Sequence, residues 1–65
     1  MNDPDIFIEN HGSIFIFRPL RRSTADALRE SVTEDALWFS GALVVEPRYA
    51  AALADALRED GLVLA

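Results

Sequence analysis

The sequence predicts a small α+β domain of β-β-α-β-α order. It would be a three-stranded sheet with two helices on one face, four-stranded if residues 62–64 join as an edge. Two runs of β-branched and aromatic residues, Ile6-Phe7-Ile8 and Ile14-Phe15-Ile16-Phe17, flank a turn sequence, Asn10-His11-Gly12. Two later stretches repeat apolar residues at helical spacing, with acids on the opposite stripe. Between them lies the stretch that organises the chain, Trp38-Phe39-Ser40-Gly41-Ala42-Leu43-Val44-Val45-Glu46-Pro47-Arg48-Tyr49. It reads as a turn, a buried strand and a helix start.

Residues 1–4 form a polar tail, and Asp5 to Glu9 form the first strand. Gly12 suits a positive φ in the turn. Ile14 to Phe17 form the second strand, which Arg18-Pro19 ends because proline cannot donate to a ladder. If residues 10–12 are the loop, Ile8 pairs with Ile14, Phe7 with Phe15 and Ile6 with Ile16. Side-chain alternation then gives one face of Ile and one of Phe7, Phe15 and Phe17. A two-residue loop would mix these sets, so the sequence favours the three-residue loop.

Ser23 is a good N-cap, and Asp26 three residues later approximates a capping box. The first helix should run from about Thr24 to Asp35. Ala25, Leu28 and Val32 form its inner stripe, and Asp26, Glu30 and Glu34 its outer one. The third strand is Ala42 to Val45, and a connection to it from a parallel second strand would be a right-handed crossover. Pro47 opens the second helix, which should run to about Asp60 with Ala50, Leu53, Ala54 and Leu57 inward and Asp55 and Glu59 outward. Gly61 is its stop. Leu62-Val63-Leu64 is either a short edge strand or an apolar tail that packs back. Ala25-Asp26-Ala27-Leu28-Arg29-Glu30 recurs unchanged as Ala54 to Glu59. Either a strand-helix unit is duplicated, or a G+C-rich coding bias writes the same residues on both helices.

Sixty-five residues make one domain, 1–65. Such a chain buries only about 60% of its unfolded surface, so its stability is marginal. Without cysteine it has no disulfide and no thiolate zinc site. Eleven acids oppose six bases, all arginine, for a net charge of −5. Arg18, Arg21 and Arg22 cluster, which leaves 3 − 11 = −8 on the remainder. Such a surface repels nucleic acid and membranes and attracts a basic protein surface. No apolar run approaches the roughly 18 residues of a membrane span. The acidic N-terminus is the reverse of a signal peptide, so a cytoplasmic location in a bacterial host cell is expected.

Chemistry finds little purchase. His11 is the only histidine and sits in a turn without metal-ligand company. Ser13, Ser23, Ser31 and Ser40 have no nucleophile context, and the three glycines form no phosphate loop. Acid–base chemistry needs carboxylates facing across a cleft, whereas these acids line outer helix faces. No enzymatic activity, cofactor or metal is expected. The Phe7, Phe15, Phe17 set resembles the stacking platforms of single-stranded RNA readers, but only the arginine corner could meet phosphates. Carboxylates at i and i+4 stand about 6 Å apart along a helix, near the spacing of phosphates along a strand. The candidate partner-binding residues are therefore Asp26, Glu30, Glu34, Asp35, Asp55, Glu59 and Asp60. An ordinary solvated helix face carries acids in the same pattern.

Asn10-His11-Gly12-Ser13-Ile14, followed by the stretch Trp38 to Tyr49, resembles a group of small proteins encoded by phages and mobile elements. In size, acidity and element order the chain also resembles small anti-CRISPR proteins that inhibit type I effector complexes, a type I-C inhibitor among them. The resemblance implies an inhibitor that imitates DNA at the site gripping a protospacer-adjacent motif. The acidic positions are assigned by their physics, not by a family motif. The expected partner is a basic nucleic-acid-binding protein such as a subunit of a CRISPR surveillance complex. Neither nucleic acid nor membrane is bound directly, and the chain is a monomer or homodimer. The alternative is a protein-binding module, or a homodimer, that uses the Phe7/Phe15/Phe17 sheet face in a phage assembly.

Overall fold

The computed structural model describes residues 3–32 and 35–65. The elements are β1 (Ile6–Asn10), β2 (Phe15–Pro19), α1 (Arg22–Glu30), β3 (Leu37–Phe39), β4 (Ala42–Val45) and α2 (Pro47–Glu59). The strands form one four-stranded sheet in the order β1-β2-β4-β3, antiparallel throughout. This is the expected α+β class with two helices, but the fourth strand is Leu37–Phe39. Ser40 (φ 51°) and Gly41 (φ 78°) form a two-residue turn with both central φ angles positive. That is the type I′ geometry whose twist matches a hairpin, so it folds Leu37–Phe39 back onto Ala42–Val45. The added reversal makes β4 antiparallel to β2, so the condition for a right-handed crossover, a parallel second strand, is not met.

The first hairpin takes a different register from the expected one. Ile8 lies opposite Phe17, Glu9 opposite Ile16 and Phe7 opposite Arg18. The His11 N–H donates to the Ile14 carbonyl at 2.9 Å, so Gly12 and Ser13 alone make the reversal. Gly12 sits at φ 81°, and its N–H donates to the Asn10 side-chain oxygen at 2.9 Å. Both sheet faces are apolar here, so hydrophobic patterning could not choose the register, and the turn chose it. The Arg18 Nε–H also donates to the Glu9 carboxylate at 2.9 Å across the two strands.

The register splits the predicted phenylalanine face. Phe15 and Phe17 share a face with Ile6, Ile8, Leu43, Val45 and Trp38, whereas Phe7 lies on the other. The first face is the core. Ile6, Phe17, Leu43 and Val45 pack there with Leu28 of α1 and with Ala50, Ala54 and Leu57 of α2. Phe17, Ile6, Leu28 and Leu57 are completely enclosed, each contributing about 1.5–3 kcal/mol of burial. Both helices therefore cover one face, as expected.

The α1 boundaries differ from expectation. Its N-cap is Arg21 in extended conformation with no side-chain cap, so Ser23 lies inside the first turn rather than capping it. The helix stops at Glu30, not Asp35. Thr24 and Leu28 are its buried residues, while Ala25 is only half-buried. Val32 lies past the helix end but still packs on the core. Thr24 and Leu28, at i and i+4, share the buried face.

In α2, Pro47 occupies the first turn as expected. Gly61 (φ 90°) ends it. The Gly61 N–H donates to the Arg58 carbonyl and the Leu62 N–H to the Leu57 carbonyl. This is the double closure of a Schellman motif, with Leu62 packed back on the core. The two Ala-Asp-Ala-Leu-Arg-Glu copies both end their helices, with Leu28 and Leu57 fully buried at matching positions.

The C-terminal residues combine both readings held open for them. Leu64 makes a parallel bridge to Ile6. Ile8 N–H donates to the Ala65 carbonyl and Ala65 N–H to the Ile6 carbonyl, each at 2.9 Å. Leu62 and Leu64 also pack on the core.

Candidate functional site

The acidic surface lies on the helices. Leu28 of α1 and Leu57 of α2 point into the core, which turns Asp26 and Glu30, and likewise Asp55 and Glu59, towards solvent. Asp60 is exposed at the α2 C-cap. Asp35 is exposed but sits in a turn past α1, so it does not extend the α1 row. Glu34 lies outside the described residues. Of the expected three-member row, the described residues of α1 carry Asp26 and Glu30, and the helix ends at Glu30. Asp55 is partly offset by Arg58 at 3.4 Å. Among the described residues, Asp26, Glu30, Glu59 and Asp60 make no ion pair.

Two of the three corner arginines are engaged, while Arg22 is exposed and in none of the ion pairs among the described residues. Arg18 pairs with Glu9 at 2.9 Å, and Arg21 approaches Asp5 at 3.7 Å. Arg29 is stacked over the Trp38 ring at 5.0 Å. Arg48 lies over Tyr49 at 4.9 Å and contacts Glu46 at 3.2 Å. Exposed pairs of this kind contribute about 0–1 kcal/mol each, but they leave few cations free for a phosphate backbone.

Glu9 joins two cationic groups. Its carboxylate accepts from Arg18 and faces His11 Nε2 at 3.1 Å. The Arg18 hydrogen bond, then that of His11, hold the Glu9 pKa below the usual carboxylate value. His11 is thus a turn residue tied to Glu9. Among the described residues, no group of three or more His, Cys, Asp or Glu could hold a metal, and no helix is long and apolar enough to cross a membrane.

Sequence reasoning missed a second surface. The sheet face away from the helices has two rows that follow from the registers. One runs Phe7, Arg18, Ala42, Phe39 and the other Glu9, Ile16, Val44, Leu37. Phe7, Leu37 and Phe39 are 47%, 65% and 66% exposed. This surface replaces the predicted Phe7/Phe15/Phe17 one, since Phe17 is enclosed and Phe15 packs on the core. The missed signal was Ser40-Gly41 between apolar neighbours, which marks a hairpin and puts Leu37 and Phe39 on one side. An apolar cleft of about 690 Å³ is lined by Leu37 and Val44 of this face, by Leu43 and Val45 of the opposite face, and by Ile14. Tyr49 and Leu53 line its helical side, with Asp35 and Glu46 also at its walls.

No protein-family model, curated protein or solved structure matches this chain.

Proposed function

We propose that the protein is a non-enzymatic inhibitor whose acidic helices occupy a basic, nucleic-acid-binding surface. The target class that fits the resemblance of the sequence is a DNA-gripping subunit of a type I CRISPR effector complex. The observation that carries this reading is the exposed carboxylate pair on each helix, Asp26 with Glu30 and Asp55 with Glu59. Each pair repeats at about 6 Å, close to the phosphate repeat of a DNA strand. Both pairs project from one layer because both helices pack on one sheet face. The two engaged arginines of the corner support a protein rather than a nucleic acid as partner.

The test is binding to a purified type I effector complex in competition with target DNA. Affinity should fall steeply as salt rises, because released counterions drive such contacts. Reversing Asp26, Glu30, Asp55 and Glu59 to arginine should abolish binding while circular dichroism stays unchanged. Full inhibition by a folded quadruple variant would rule the reading out.

A further inference from the structure

We propose that the helix-free sheet face, whose open surface is Phe7, Leu37 and Phe39 around an already buried Ile16, is a two-fold interface with a second copy of this chain. Each cross-strand row is apolar except for one member of the Glu9–Arg18 pair, and the three largest exposed side chains of the face lie on the outer strands β1 and β3. Phe7 and Phe39 alone leave roughly 200 Å² of aromatic surface open.

Charge selects the occupant. The chain carries −5, but this face holds one acid and one base, Glu9 and Arg18, already paired at 2.9 Å. It is a neutral area on an acidic molecule. A basic protein is drawn to the helices, not here. A phosphate backbone would need cations, and the one cation on the face is held by Glu9. A second copy meets neither objection. Its face is equally neutral, and a two-fold axis can set Glu9 and Arg18 against their opposites. Packed sheets stand about 10 Å apart. The acidic helices of the two copies would then lie on outer sides, where their repulsion is felt at low salt, with a Debye length of about 30 Å at 0.01 M, and is screened at high salt.

The area is sufficient for a moderate dimer. Four strands at about 4.8 Å spacing give a face on the order of 20 Å wide. Two such faces bury several hundred Å² each, near the total of about 1,000 Å² that a specific interface needs. Dimerisation in the micromolar range is expected. The dimer would carry one acidic helix layer on each outer side.

Sedimentation equilibrium of the full chain tests this, at low salt and at about 0.5 M salt. The wild type should dimerise, and more tightly at high salt, where repulsion between acidic protomers is screened. This is opposite in sign to the salt dependence of acidic-helix binding, so the two ideas fail separately. Phe39→Asp should weaken dimerisation on the order of 100-fold or more, since each copy contributes the residue. Phe7→Asp, on the far strand of the same face, should do the same, so the test does not depend on one variant folding. A wild type that stays monomeric up to about 100 μM, or a folded Phe7→Asp chain that dimerises like the wild type, overturns the proposal.

Discussion

The Asp5 carboxylate accepts a hydrogen bond from the Val63 backbone N–H at 2.9 Å, joining residues 58 positions apart. The Val63 carbonyl in turn accepts from the Asp5 N–H at 2.7 Å, and the Leu20 N–H donates to the Asp5 carbonyl. One residue thus holds the start of β1, the end of β2 and the C-terminal segment together. The segment it holds also covers the outer edge of β1, a row of backbone groups that would otherwise be open to another strand.

Asp5→Ala removes the acceptor and leaves a partly buried N–H without a partner. The expected cost is about 1–3 kcal/mol in urea denaturation. Asp5→Asn keeps an acceptor and loses only the charge, so its cost should be smaller. Amide hydrogen exchange at Val63 should accelerate in the alanine variant first. Equal stability of all three proteins would show that the clamp contributes nothing.

The Ser40-Gly41 turn sets the register of the β3–β4 hairpin. Gly41→Ala forces a Cβ into a positive φ and should destabilise by about 1 kcal/mol. No atom crowds that position, so the cost is conformational rather than steric. Ser40→Asn places a residue tolerant of φ 51° in the first turn position. It should leave stability unchanged or raise it by a few tenths of a kcal/mol. Thermal unfolding of the two variants reads both effects, and a stabilising Gly41→Ala would contradict the turn assignment.

Acid unfolding should carry a Glu9 component. Its pKa is lowered in the folded state, so the unfolded chain binds the proton more tightly. Stability from this group is then fully present above the ordinary glutamate pKa of about 4.3 and is lost as pH falls through the lower folded value. Denaturation measured from neutral pH down to about 3 should show that loss. Glu9→Gln should flatten part of the slope, and so should Arg18→Gln, which removes the first cause of the shift. A slope untouched by either change would mean that the pair does not persist in solution.

Much of this fold was legible because it is local. Gly12, Gly41 and Gly61 each mark a reversal or a stop, and Pro47 marks a helix start. Leu28 and Leu57 sit at spacings that a helix must bury. The strand at Ala42 to Val45 is apolar throughout, as a strand between two neighbours should be. The acids at Asp26, Glu30, Asp55 and Glu59 are exposed for the same reason, since each is on the stripe opposite a buried leucine. Ser23 was misread because Ser23 and Asp26 fit a capping box by their letters, whereas the helix starts at Arg22 behind an extended Arg21 with no side-chain cap.

The sequence by itself determined the class, the two helices, the placement of the acids and the sites of reversal. These depend on short-range periodicity and on backbone conformations that few residues adopt. Only the tertiary structure decided which face each strand shows. Ile6-Phe7-Ile8 and Phe15-Ile16-Phe17 are apolar at every position, so burial energy barely distinguishes the expected register from the observed one, which pairs Ile8 with Phe17 rather than Ile14. The choice fell to a turn hydrogen bond at Gly12, an ion pair between Glu9 and Arg18, and a third partner strand, none of which the alternation encodes. That choice sent Phe15 and Phe17 into the core and left Phe7, Leu37 and Phe39 on the open face.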